Sequence, residues 1–270
     1  MMNKKWIFLP SIIVILIFGI GLTTDYPSAL RHVFIQPVYA SEISSSSSVP
    51  PIDIVSTMIG EVNQERIITD LRKLTGAEQI CIDSNCYTIA NRRTGSVGLQ
   101  WAKDYVYEEL TNLGYSVEVQ NWSRSGYEDQ NLIVKKQGLI SPGEEIYFVA
   151  HMDGVTSPAA DDNASGVVSL LELARILRSH AISRSVVLLF STGEEQGALG
   201  VHSYIAQLTQ EQLNSINYVV DADMLGYDAN NDGIMELWNG TQPLDFVQLL
   251  MDIISSYQID LHPQIVSDCG

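Results

Sequence analysis

Apolar and polar positions change period several times along the chain. Over residues 52–74 the apolar side chains recur at helical spacing and stop before Gly76. The same period returns over residues 97–113, with Trp101, Tyr105, Val106 and Leu110 on one stripe and Gly114 as the stop. Residues 115–120 alternate as a strand does, and residues 131–136 resemble another strand. Three short, strongly apolar runs come next, at 146–150, 185–190 and 218–220, of the kind that suits strands buried on both faces. A helical pattern over 166–179 separates the first two runs, and another over about 198–208 separates the second and third. Strand and helix in alternation predict an α/β domain with a mostly parallel central sheet and helices on both faces.

The first forty residues read differently. Lys4 and Lys5 precede an uncharged apolar run over residues 6–22, the layout of a secretory signal peptide or an N-terminal membrane anchor. As a helix that run spans roughly 25 Å, short of the ~30 Å hydrocarbon core, so cleaved and anchored forms both stay open. Val38-Tyr39-Ala40 offers small residues for cleavage before Ser41. Basic residues ahead of the run place the rest of the chain outside the cytoplasm, secreted or membrane-anchored, with membrane contact only through this segment. Residues 41–51, with serines from Ser44 to Ser48 and then Pro50 and Pro51, form a linker, and 52–270 form the folded domain. In an oxidising compartment Cys81 and Cys86, flanking the turn-like Ile-Asp-Ser-Asn, could close a small disulfide loop, while Cys269 has no obvious partner.

Composition narrows the function classes. A net charge of −17 would repel phosphate backbones, so no nucleic-acid partner is expected. With 46% hydrophobic and 17% charged residues the chain can fill a core, which argues against a largely disordered protein. The cysteines lack zinc-finger spacing.

The chemistry-bearing residues sit directly after the apolar runs. The first run leads into His151-Met-Asp153-Gly154, the second into Ser191-Thr-Gly193-Glu194-Glu195-Gln-Gly197, and the third into Asp221-Ala-Asp223-Met-Leu-Gly226. Asp161-Asp162-Asn163-Ala-Ser165-Gly166 stands where the first crossover helix begins. Ligands in open α/β sheets bind beyond the carboxyl ends of the strands, so these four segments should converge. Carboxylates clustered around one imidazole repel one another unless a cation is present. Imidazole and carboxylate donors suit zinc, and the number of acidic groups favours a two-ion site that polarises a carbonyl. The glycines flanking Glu194-Glu195 let adjacent carboxylates take different tasks, one holding metal and one taking a proton.

In order and spacing, His-Met-Asp-Gly, Ala-Asp-Asp-Asn-Ala-Ser-Gly, Ser-Thr-Gly-Glu-Glu-Gln-Gly and Asp-Met-Leu-Gly resemble the cocatalytic di-zinc aminopeptidases, metallopeptidase family twenty-eight. The likeness runs over roughly residues 60–270 and takes in Arg93-Thr-Gly-Ser and the Trp101 helix. It implies that His151 and Asp223 ligate one zinc, that Asp162 bridges two, and that Glu195 ligates the second. It further implies Glu194 as general base and Asp153 as the group that orients His151. The implied reaction is hydrolysis of a peptide bond in peptide or protein substrates, most simply at the N-terminus, by a metal-bridging hydroxide.

One family feature is missing from the pattern. The last zinc histidine belongs to a Ser-Asp-His loop, whereas this sequence reads Ser267-Asp268-Cys269-Gly270. The expectation is a domain that is C-terminally incomplete, with one firm metal site, one weak one and low or absent activity. Alternatives are a non-catalytic ectodomain of the same fold, a glutaminyl cyclase-like enzyme or another amide hydrolase. Asp161 reads as a helix cap and Asp221 as structural, while His32, His180, His202 and His262 read as surface or linker residues. Residues 228–233 resemble the start of a calcium loop but have Asn239 where the twelfth-position glutamate is required, so they read as a turn.

Overall fold

A computed structural model describes residues 53–228, 230, 232–238 and 244–266. The helical pattern that opens the domain resolves into two helices, α1 (Ile54–Glu61) and α2 (Gln64–Leu74), and not one. The break is chemical: Asn63 leaves helical geometry and its side chain caps the new N-terminus by accepting from the Arg66 amide. A hairpin of β1 (Ile80–Ile82) and β2 (Asn85–Tyr87) comes next, turning on Asp83 and Ser84, both at positive φ. Cys81 and Cys86 face each other across it and are disulfide-bonded. After it stand α3 (Val97–Asn112), capped by Ser96, and two strands, β3 (Glu118–Arg124) and β4 (Tyr127–Lys136). The remainder of the core is β5 (Ser141–His151), α4 (Gly166–Ser179), β6 (Arg184–Ser191), α5 (Leu199–Gln207), α6 (Gln210–Ser215) and β7 (Ile216–Asp221). A parallel pair, β8 (Ile234–Trp238) and β9 (His262–Val266), brackets α7 (Leu244–Ser256).

The central sheet has the order β3-β4-β6-β5-β7. It is mixed, which corrects the mostly parallel expectation: β5 runs parallel to β6 and β7, but β4 is antiparallel to both β3 and β6. An apolar run reports burial and not direction, and the two-residue Ser125-Gly126 turn, with both residues at positive φ, sends β4 back along β3.

Side-chain parity divides the core between the two faces. Leu132, Val134, Ile146, Phe148, Ala150, Val186, Leu188 and Phe190 pack on one side with α2, α3 and α4. Ile133, Tyr147, Val149, Val187 and Leu189 pack on the other with Tyr204 of α5. Helices therefore cover both faces, as expected. The carboxyl ends of β5, β6 and β7 consequently open at one end of the sheet, where the loops after them meet. The residues read as leader and linker lie outside the described part of the chain. Among the described residues no helix is long and apolar enough to cross a membrane.

Candidate metal centre

His151 is the last residue of β5, and its ring is almost wholly buried. Its Nδ1 lies 3.2 Å from the Asp153 carbonyl oxygen and 3.7 Å from Asp153 Oδ1. The opposite nitrogen, Nε2, is buried without a hydrogen-bond partner. It faces Asp162 Oδ1 at 3.2 Å, Asp223 Oδ1 at 3.6 Å and Glu194 Oε2 at 3.9 Å. Each of these carboxylates is a little under half exposed, so the group opens toward solvent.

Two loops are stitched together to bring Asp162 and Asp223 to the same imidazole. The irregular turn Ala160–Ser165 carries Asp162, and the Asp162–Asn163 peptide bond is cis. Asn163 caps α4 by accepting from the Gly166 amide and donates to the Ala222 carbonyl at 2.9 Å. Ser165 Oγ accepts from the Leu225 amide, and Asp161 Oδ1 accepts from the Gly226 amide at 2.7 Å. Asp161 therefore braces the Asp223 loop and does not cap its own helix. Gly166 lets the two loops touch: a Cβ there would stand 2.0 Å from the Ala222 carbonyl oxygen.

Glu194 and Glu195 hang from a turn fixed by buried polar groups. Asn131 Oδ1 accepts from the Thr192 amide while its Nδ2 donates to the Gly200 carbonyl. The Trp122 indole donates to Thr192 Oγ1 and packs so closely on Gly193 that a Cβ there would lie 2.6 Å from the ring. Asp153, fully buried, joins this turn to the imidazole. Its Oδ1 accepts from the Glu194 amide at 3.3 Å and its Oδ2 from the Glu195 amide at 3.2 Å. Glu195 Oε1 accepts from the Val155 amide at 2.9 Å, so its carboxylate stands apart from the group formed by His151, Asp162 and Asp223.

The electrostatics are those of a cation site. Burial works against charge on His151, but the neighbouring carboxylates of Asp153 and Asp223 outweigh it and lift the ring to about 10. Burial would raise Asp153, yet the His151 contact and the two amides hold it below the usual carboxylate range. Glu194 is pushed up by burial and by Asp153, Asp223 and Glu195, with His151 opposing. A proton held by His151 must therefore leave before an ion can bind at its ring nitrogen. Zinc affinity is expected to rise about tenfold per pH unit between about pH 6 and 8, because each ion bound displaces that proton. Competition titration with a chelating dye measures this, and a flat profile would contradict it.

The donor set fits zinc. Ligand atoms around a tetrahedral ion with ~2 Å bonds lie about 3.3 Å apart, close to the 3.2 and 3.6 Å seen from His151 Nε2. His151, Asp162 and Asp223 all offer one atom within 4.8 Å of the others. Of the residues singled out in the sequence, these three and Glu194 converge, Asp153 supports them, and Glu195 adjoins them. The other histidines sit elsewhere among the described residues: His180 pairs with Glu61, His202 is exposed on α5, and His262 contacts the Asp232 carbonyl. Asp228 caps a turn by accepting from the Asp232 and Gly233 amides. Sequence reasoning passed over Asn131, Trp122 and Arg92. An Asn directly ahead of Leu-Ile-Val, and an Arg pair in the middle of a loop, were the available signals.

The profile of peptidase family M28 matches residues 131–266. A protein described as a probable zinc metalloprotease from Pyrenophora teres f. teres is 26% identical over 206 residues, which cover 68% of this chain and 41% of that protein. Aminopeptidase YwaD of Bacillus subtilis is 35% identical over 99 residues, 36% of this chain and 22% of that protein. The chain thus spans less than half the length of these curated relatives. The crystal structure of the Legionella pneumophila LapA aminopeptidase superposes with a TM-score of 0.63 at 21% identity, covering 86% of this chain and 62% of that one. A Macrostomum lignano glutaminyl cyclase gives 0.63 at 16% identity, covering 83% and 77%, so the fold is common to both kinds of enzyme.

Proposed function

For a chain that belongs to peptidase family M28, we propose zinc-dependent hydrolysis of peptide bonds, removing residues from the N-termini of peptides or proteins. The observation that carries this reading is the orphaned Nε2 of His151, buried and aimed at three carboxylates. His151, Asp162 and Asp223 would hold one ion, and Asp162 with Glu195 a second once the Glu195 carboxylate leaves the Val155 amide. Bound zinc supplies a Lewis acid for the scissile carbonyl and makes water acidic near neutral pH.

The remaining work falls to side chains. Glu194, raised above the ordinary carboxylate range and partly open to solvent, is suited to accept a proton from water and pass it to the departing amine. The Asp153 carbonyl, 3.2 Å from His151 Nδ1, fixes the tautomer, while the Asp153 carboxylate holds the Glu194 amide, so ligand and base keep one relative geometry. The Lys4-Lys5 leader and the Cys81–Cys86 disulfide support an extracytoplasmic location, secreted or anchored by the N-terminal segment.

A panel of amino-acid anilides, each with a free or an acetylated amine, tests the proposal. The zinc-loaded protein is expected to release aniline from free-amine substrates only, and a chelator should stop it. Release that ignores the chelator, or that is as fast from acetylated as from free-amine substrates, would overturn the reading.

A further inference from the structure

Among the described residues Arg92 is the largest side chain buried to 1% exposure or less, and it lies outside the groups assigned to the metal centre. All its polar contacts are backbone carbonyls. Nε donates to Met152 at 2.8 Å, Nη1 to Leu74 at 2.7 Å and Pro158 at 3.2 Å, and Nη2 to Ala159 at 2.7 Å. Met152 lies between His151 and Asp153, and Ala159 precedes the turn that carries Asp162. One rigid guanidinium thus pins both ends of the loop joining those residues, using the fork geometry that a lysine lacks. The Arg92 carbonyl accepts from the Gly154 amide, and Arg93 Nε donates to the Val155 carbonyl. Two residues on, Thr94 Oγ1 lies 3.3 Å from Asp153 Oδ2 and bonds the Gln196 side chain. A strap of three consecutive residues therefore touches the His151–Asp153 corner, the approach to Asp162 and the residue after the Glu194-Glu195 pair.

We propose that Arg92 and Thr94 are positioning residues of the metal centre, setting the spacing of His151 and Asp162 and the orientation of Asp153. The inference rests on the proposed zinc chemistry. Burial lowers the guanidinium to about 10, with Asp153 and Asp162 opposing, so it stays charged at neutral pH beneath the site carboxylates.

Zinc affinity of the folded chain, measured by dye competition, separates positioning from mere bracing. R92K and T94V are expected to weaken zinc binding by about 10–100-fold, while T94S, which keeps the hydroxyl, should bind like the unaltered chain. Should R92K fail to fold, the T94V and T94S pair decides. Folded R92K or T94V that binds zinc as tightly as the unaltered chain, with only a lower melting temperature, would overturn the proposal. No zinc uptake by the unaltered chain would instead overturn the metal reading, and this inference with it.

Discussion

Glu194→Gln is expected to lower turnover by 10²–10⁴-fold, on the order of a lost general base, while zinc content stays at the unaltered level. Glu194 Oε2 stands farther from His151 Nε2 than Asp162 or Asp223 does, at 3.9 Å against 3.2 and 3.6 Å, so it is the member of the group least bound to ligation. Its amide, held by Asp153, keeps the side chain at the site whether or not it carries charge. An amide replacement keeps the shape and removes only the capacity to accept a proton. Steady-state rates on anilides beside metal analysis of the same preparation check this. Loss of zinc with residual turnover unchanged would mean that Glu194 holds metal and Glu195 moves protons.

The second large effect concerns stability. Glu172→Ala should cost about 3 kcal/mol, the lower end of what breaking a buried ion pair costs. Glu172, on α4, is wholly buried and accepts from the Asn63 amide at 2.8 Å, Arg66 Nε at 3.0 Å and Arg66 Nη2 at 2.5 Å. Arg175 Nη1 stands 3.6 Å away and is held meanwhile by Asp70. Without the carboxylate the Asn63 amide, at the junction of α1 and α2, loses its acceptor. Arg66 is 44% exposed and can turn to water, which keeps the figure from rising higher. Urea unfolding measures it, and a loss below about 0.5 kcal/mol, typical of an unremarkable surface site, would show that the contact carries little.

Much of this arrangement was readable in the residues, for physical reasons that differ by element. β5, β6 and α4 were legible because burial on both sides leaves unbroken apolar runs or a full apolar stripe. The direction of β4 was not, since a strand looks alike read either way, and only Ser125-Gly126 marks the reversal. The break at Asn63 hid inside a period that continues on both sides of it. At the site, His151, Asp162, Asp223 and Glu194 were legible because strand ends and a helix start place them without reference to anything distant. Arg92 and Asn131 were not, because their partners are carbonyls and amides of loops far along the chain, which leave no local period. The Cys81–Cys86 bridge lay between these cases: spacing permitted it, and the hairpin supplied the facing positions.

Alternation along β5 constrains how the protein can change length. Ile146, Phe148 and Ala150 belong to one half of the interior and Tyr147 and Val149 to the other, and the strand ends on the imidazole. Deleting a single residue there would swap the two sets and swing His151 to the wrong side of the sheet. Insertions and deletions compatible with the chemistry are therefore confined to exposed bends away from the metal centre, such as residues 77–79, or come in pairs within the strand.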